Sequence, residues 1–153
     1  MANILVSTKD MPFDEWKRWR QKGIGGSDVS AICGLNKYKS AFQLWAEKTG
    51  QYDVSGDNES AYWGKVLEPV IRSEFTKRTG LPVVPESNLL QHEEYPFMLA
   101  NLDGIVQSAD AKYIFEAKTA SIYRLQEWEQ DCVPYPYQLQ VQHYLSVTDL
   151  TGA

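Results

Sequence analysis

FMLANLDGIVQSADAKYIFEAKTAS, residues 97–121, decides the fold. It reads as two strand segments, FMLANLDGIVQS (97–108) and YIFEAKTAS (113–121), rich in β-branched and aromatic residues and separated by turn residues. Two similar segments precede it, LPVVPES (81–87) and NLLQHEEY (88–95). Before Gly80 the pattern is helical. A long run from about Glu59 to Thr79 stops at Gly80 and is interrupted by Pro69, which lacks a backbone donor and kinks a helix. QYDVSGDNES (51–60) is a polar loop. Ser40 to Gly50 reads as a capped helix with Phe42, Leu44 and Trp45 for the core. In GIGGSDVSAICG (23–34), Ser27 is placed as a helix N-cap and Gly34 as the stop, and Phe13 to Lys22 is a short helix. Downstream, Ile122 to Gln130 is a short amphipathic helix, and Tyr137 to Val147 follows a break at Pro134 and Pro136. Helices, then strands, then helices predict an α+β fold, a central mixed, mostly antiparallel sheet flanked by helices.

The 153 residues, 43% of them hydrophobic and 12% aromatic, suffice for one domain with its own core. Aromatics spread along the chain argue against disorder, and no apolar run approaches the roughly 20 residues that span a bilayer. The N-terminus turns to charge too early for a signal peptide, and Cys33 and Cys132 cannot make a disulfide framework or a four-cysteine cluster. These features predict a cytoplasmic protein. The net charge of −5 is unlike that of a generic nucleic-acid coat, yet it is unevenly spread. Residues 1–50 carry eight Lys/Arg and five Asp/Glu, whereas the remainder carries seven and fifteen. The basic third can meet phosphate and the acidic part a cation; an uneven solvated surface is the plainer reading.

Two acidic positions in the strands carry chemistry. Glu116 and Lys118 are two apart and share a strand face, which leaves the Ala117 carbonyl near the strand edge. With Asp103 on a neighbouring strand, two carboxylates and one carbonyl converge as hard oxygen ligands suited to Mg²⁺ or Mn²⁺. Taken singly, Asp103-Gly104 is also a common turn dipeptide, and Glu116 with Lys118 also fits a solvated strand face. Glu68 sits before Pro69 and one turn from Arg72, which by itself describes an i,i+4 surface pair. Gly25 and Gly26 let backbone approach a ligand, Ser27 opens a helix, and Arg20 supplies a charge; a glycine hinge with an ordinary cap fits equally. GIGGSD lacks the lysine of a P-loop, His92 and His143 are isolated, and Asn58-Glu59-Ser60 is a sequon without meaning in a cytosolic chain. The tryptophans read as core, with Trp63 beside Glu68 as a candidate channel residue.

Asp103 followed by Glu116-x-Lys118 within apolar strands resembles the PD-(D/E)xK nuclease signature. Five ordered segments narrow the likeness: EWKRWRQKGIGGSDVSAICG, WGKVLEPVIRSEF, LANLDGIV, FEAKTA and QLQVQHYLSVT. Together they resemble the YqaJ-type viral recombinase nucleases, relatives of phage lambda exonuclease, over residues 14–149. The resemblance implies a restriction-endonuclease-like fold, with residues 1–153 forming one nuclease domain. Because the chain stops at Thr151-Gly152-Ala153 just after a helix, a C-terminal portion is expected to be missing. By resemblance, Asp103 and Glu116 are metal ligands with the Ala117 carbonyl, and Lys118 is the catalytic lysine. Glu68 is the helical acidic residue and Gln140 the glutamine near the attacking water, Gln138 and Gln142 being the competing alignments. Arg20 and Ser27 form a pocket for the 5′-phosphate of a DNA end.

The function so implied is a Mg²⁺-dependent (or Mn²⁺-dependent) deoxyribonuclease that resects double-stranded DNA ends from 5′ to 3′. Its single-stranded product would feed a strand-annealing protein in phage-type recombination, within a bacterial or phage-infected cell. Ring-like relatives imply a homo-oligomer, a trimer, and no membrane is involved. The rivals are an endonuclease on the same core and a non-catalytic module that binds a DNA end or a recombination partner.

Overall fold

The computed structural model describes residues 2–52 and 59–153. The polar loop read over 51–60 and Asn58 of the sequon fall largely or wholly outside the described residues. In chain order the elements are β1 (Asn3–Ser7), α1 (Phe13–Arg20), β2 (Ile24–Gly25), α2 (Gly26–Ile32), α3 (Ala41–Lys48) and α4 (Glu59–Thr79). There follow β3 (Val83–Val84), β4 (Asn88–Gln91), β5 (Met98–Ala100), β6 (Gly104–Gln107), β7 (Lys112–Phe115), a 3₁₀ helix (Ile122–Asp131) and α5 (Tyr135–Thr148).

The class is α+β, and its strands divide between two sheets. One has the order β1-β4-β5-β2, antiparallel except where β2 runs parallel to β5; the other is antiparallel in the order β3-β6-β7. FMLANLDGIVQS therefore holds two strands rather than one, and Asp103 lies in the break between them. Gly104 opens β6 because a Cβ there would lie 2.9 Å from the Val84 carbonyl oxygen, so only glycine lets β3 pair so closely. Neither β1 nor β2 follows from sequence pattern. Both are short, and their partners β4 and β5 lie more than 70 residues away.

The core gathers Leu90, Ala100, Leu102, Ile114, Tyr144 and Val147, joining both sheets to α5. On its other side α5 packs against α2, and Gly26 makes that approach possible. A Cβ on Gly26 would stand 2.5 Å from a ring carbon of Tyr144 and 3.0 Å from Gln140 Cγ. Fixing α2 against α5 thus also fixes where Gln140 points.

Local readings hold in part. Ser40 caps α3, accepting from the Gln43 N–H at 3.2 Å, and α4 runs without interruption through Pro69. Ser27 is not an N-cap: Gly25 takes that place, and Asp28 reaches back to accept its N–H at 2.9 Å. The Asp28 carboxylate does the capping, which leaves the Ser27 hydroxyl free for another partner. Pro136 does not break the last helix, because the first turn of a helix leaves its N–H groups unpaired and tolerates proline. Ile122–Asp131 winds as a 3₁₀ helix rather than an α-helix. In α3 only Leu44 of the three expected core residues is buried; Phe42 and Trp45 are 73% and 49% exposed. None of the five tryptophans belongs to the buried core.

Asp28 is nearly buried, with Lys48 Nζ 2.8 Å and Arg20 Nη2 3.5 Å from its Oδ2. Burial alone would raise its pKa, but Arg20, Lys48 and the Gly25 N–H together hold it below the ordinary value of 3.8. A carboxylate lowered in the folded state contributes stability that is complete above 3.8 and is lost as pH falls through the lower folded value. Urea midpoints of Asp28→Asn and the parent chain should therefore be well separated at neutral pH and converge on acidification below that range. The Gly26 contact gives a second expectation. Gly26→Ala should cost about 1–3 kcal/mol through overpacking. Gly64→Ala, whose Cβ meets only Thr119 Oγ1 at 3.6 Å inside α4, should be neutral or stabilising in the same denaturation series.

Candidate active site

The β6–β7 hairpin builds the centre of the site. Its ladder ends at the pair Gly104–Phe115, so the register carries Asp103 and Glu116 to opposite positions one step further. The Ala117 N–H donates to Asp103 Oδ2 at 2.8 Å and ties the two strand ends together. On β7 the alternation of faces sends Phe115 toward α4, where it meets Phe75 edge-on, and leaves Glu116 to face α5.

From α5, Gln140 is buried and donates through Nε2 to Glu116 Oε1 at 2.6 Å and to the Tyr144 hydroxyl at 3.0 Å. Lys118 Nζ donates to the same Glu116 Oε1 at 2.6 Å. Two donors thus converge on one carboxylate oxygen. The other, Glu116 Oε2, is buried and has no hydrogen-bond partner. An unpaired buried oxygen of this kind is costly unless another group occupies its lone pairs.

The electrostatics agree. Burial first, and then the charge of Asp103, push the Glu116 pKa up to about 7 despite Lys118 and the bonds from Lys118 and Gln140. Burial also raises Asp103, which the Ala117 N–H, Lys118 and Arg72 only partly offset. Glu68 is raised by burial and by Asp103. Carboxylates that desolvate and repel one another make a poor anion site and a ready cation site.

Asp103, Glu116, Gln140, Arg20 and Ser27 share one cavity of about 150 Å³, also bordered by Trp16 and Tyr144. Arg20 Nη2 donates to Ser27 Oγ at 2.9 Å, and its guanidinium carbon lies 5.0 Å from the Trp16 ring centroid. A Cβ at Gly25 would come within 2.7 Å of Arg20 Nη2, so a larger residue here would displace the guanidinium. Lys118 joins the group through Glu116; with Glu116 and Ala117 it also borders an apolar groove of about 680 Å³ between α4 and α5. Glu68 stays outside this bonded group. It makes the i,i+4 pair with Arg72 at 2.9 Å, yet stands near enough to Asp103 for their charges to interact. Gln138 turns away to the Val133 carbonyl, so of the three glutamines of QLQVQ it is Gln140 that reaches Glu116.

Sequence reading missed Tyr144, which fixes the Gln140 amide from one turn along α5, and Asn101, which accepts from Trp16 Nε1 at 3.2 Å. The i,i+4 spacing of Gln140 and Tyr144 was the available signal. His143 is buried against the Leu99 carbonyl oxygen at 3.0 Å, while the half-buried His92 receives two local N–H groups, so both are structural. Cys33 and Cys132 are free and exposed.

Among the described residues no three His, Cys, Asp or Glu side chains are grouped to hold a metal ion. Asp103 and Glu116, with the bare Glu116 Oε2, make a donor set that fits an ion needing few side chains. Mg²⁺ and Mn²⁺ are such ions, commonly held by one or two carboxylates with carbonyl and water making up the octahedron. The bare Glu116 Oε2 is the position such a ligand set requires.

Comparison with known proteins extends the picture. The chain is 48% identical over 147 residues to the uncharacterized protein YqaJ of Bacillus subtilis (strain 168), covering 95% of this chain and 46% of that one. It spans less than half the length of the curated relatives it matches. The crystal structure of an alkaline exonuclease (LHK-Exo) from Laribacter hongkongensis superposes with a TM-score of 0.69 at 19% identity, over 90% of this chain and 69% of that one. The same exonuclease in complex with dAMP matches equally, at 20% identity. The sequence model of the YqaJ-like viral recombinase domain matches residues 15–151, and the chain belongs to that family.

Proposed function

We propose that this chain is a divalent-metal-dependent deoxyribonuclease, an exonuclease that resects linear duplex DNA from its 5′ ends. The observation that carries the reading is Glu116, bonded by Lys118 and Gln140 through one oxygen and left with a buried, unpartnered second oxygen, in a cavity it shares with Asp103 and Gln140. A fold shared with an alkaline exonuclease, and with its dAMP complex, supports it.

Asp103, Glu116 and the Ala117 carbonyl would hold Mg²⁺ or Mn²⁺. When bound, the ion lowers the pKa of a ligand water and offsets charge on the phosphate oxygens. The residues of the chain do the rest. Gln140, its amide fixed by Tyr144 and Glu116, would present its carbonyl oxygen to accept a hydrogen bond from the attacking water and so orient it. Lys118 keeps a positive charge beside the same carboxylate, where it orients that water or steadies the phosphate as charge develops. Water adds to phosphorus, the bond from phosphorus to the 3′ oxygen breaks, and that oxygen leaves with a proton. Glu68, near Asp103, adds negative charge that strengthens cation binding.

Arg20 and Ser27 would bind the 5′-phosphate of the strand end through charge-assisted hydrogen bonds. Cleavage that leaves phosphate on the 5′ side regenerates the group this pocket accepts, so each product end is the next substrate end. The single strand left behind would pass to a strand-annealing partner in phage-type recombination in the cytoplasm of a bacterial or phage-infected cell. Assembly as a homotrimer around DNA would keep the enzyme on its track. Among the described residues no helix is long and apolar enough to cross a membrane.

The test is an incubation with 5′-phosphorylated linear duplex and with closed circular DNA, in Mg²⁺ or in EDTA. Linear DNA should be lost and the circle spared, only with metal. Glu116→Gln should slow the loss by roughly a hundredfold or more, the scale of a missing catalytic group. Cutting of the circle would instead indicate an endonuclease. Metal-independent binding of ends without cleavage would indicate a non-catalytic module.

A further inference from the structure

Arg20 does not stand alone, and the group that holds it lies in a helix outside the site. Lys48, in the last turn of α3, donates to Asp28 Oδ2 at 2.8 Å and to the Arg20 main-chain carbonyl oxygen at 2.8 Å. Asp28 in turn lies 3.5 Å from Arg20 Nη2. A ring is thereby closed, from the Arg20 side chain to Asp28, to Lys48, and back to the Arg20 main chain. The side chains of Lys48 and Asp28 are only 16% and 10% exposed, so solvent screens these charges little.

We propose that Lys48 is a positioning residue that keeps Arg20 available to a terminal phosphate, an inference that rests on the reading of Arg20 and Ser27 as the phosphate pocket. Two cations share one anion here, and the shorter contact belongs to Lys48. Lys48 therefore makes the close contact to Asp28, and the Arg20 guanidinium, at 3.5 Å, contributes its charge while keeping its hydrogen bond for Ser27 Oγ at the cavity. Without the ammonium, Asp28 would keep Arg20 as its ion-pair partner among the described residues. A closed Arg20–Asp28 pair would be neutral, would turn the guanidinium away from Ser27 Oγ, and would leave the pocket without net positive charge for an incoming dianion. The bond to the Arg20 carbonyl adds a second restraint, holding the end of α1 where the guanidinium can reach Ser27.

The readout is the ratio of affinities for 5′-phosphoryl and 5′-hydroxyl linear duplex, measured by fluorescence anisotropy in Ca²⁺ so that no turnover is needed. The parent chain should prefer the phosphoryl end, and Arg20→Gln should abolish that preference. Lys48→Met should reduce it roughly ten- to hundredfold, the effect of a lost hydrogen bond to a charged group, with 5′-hydroxyl binding unchanged. Lys48→Arg should retain most of it. The decisive variant is Asp28→Asn combined with Lys48→Met. With no carboxylate left to capture Arg20, the preference should recover above that of Lys48→Met, whereas a merely structural Lys48 would leave the double variant no better or worse. A preference lost in Arg20→Gln but kept in Lys48→Met, or one that does not recover in the double variant, overturns this inference alone. A parent chain without any preference overturns the phosphate pocket and this inference together.

Discussion

Glu116 holds one carboxylate oxygen under two donors, Lys118 and Gln140, and leaves the other buried with none, facing the charge of Asp103. A net hydrogen bond is worth about 1 kcal/mol, whereas repulsion between two carboxylates at a partly buried site reaches a few kcal/mol. Burial, and then the charge of Asp103, outweigh these donors, and the carboxyl is accordingly raised to about 7. Most of the fold can be understood as the means of holding this unfavourable group in place. The hairpin register sets Asp103 opposite Glu116, the Ala117 N–H locks the strand ends, and α5 brings Gln140 down from the far side.

α5 is the element on which the two halves of the site meet. One of its faces joins the core through Tyr144 and Val147, and its contact with α2 depends on a glycine at position 26. Because α2 also carries Ser27 and Asp28, the same contact sets the distance between the carboxylate centre and the Arg20 pocket. Sites placed on packed helices and strands in this way keep their geometry better than sites on loops. Both halves of the cavity share one logic, in which a buried charge is held by more partners than a surface charge would need.

The α+β class, the long helix ending at Gly80 and the capped helix from Ser40 were legible because each rests on local signals: period, caps and glycine stops. The candidate site was legible at Asp103, Glu116, Lys118 and Gln140 through ordered motifs, and these do converge. What escaped depends on tertiary partners. β1 and β2 are strands only because β4 and β5 pair with them. Ser27 looked like a cap, but Asp28 outcompetes it through a bond that needs the Lys48 and Arg20 charges from other helices. Phe42 and Trp45 fit a core pattern, yet α3 buries only its Leu44 and Ala46 side.

The central claim is that Glu116 is strained by its own charge until a cation arrives. A carboxyl raised from 4.5 to about 7 contributes stability that is complete below 4.5 and is lost as pH rises through about 7. At pH 8 in EDTA the charged group should therefore destabilise the chain, and a Mn²⁺ site should reverse the effect by binding only the native state. The most direct measurement is the urea midpoint of the parent chain and of Glu116→Gln at pH 8, each in EDTA and in Mn²⁺. The account predicts that Glu116→Gln is the more stable in EDTA and the less stable in Mn²⁺. A parent chain more stable in EDTA, or Mn²⁺ stabilising both chains equally, would contradict it.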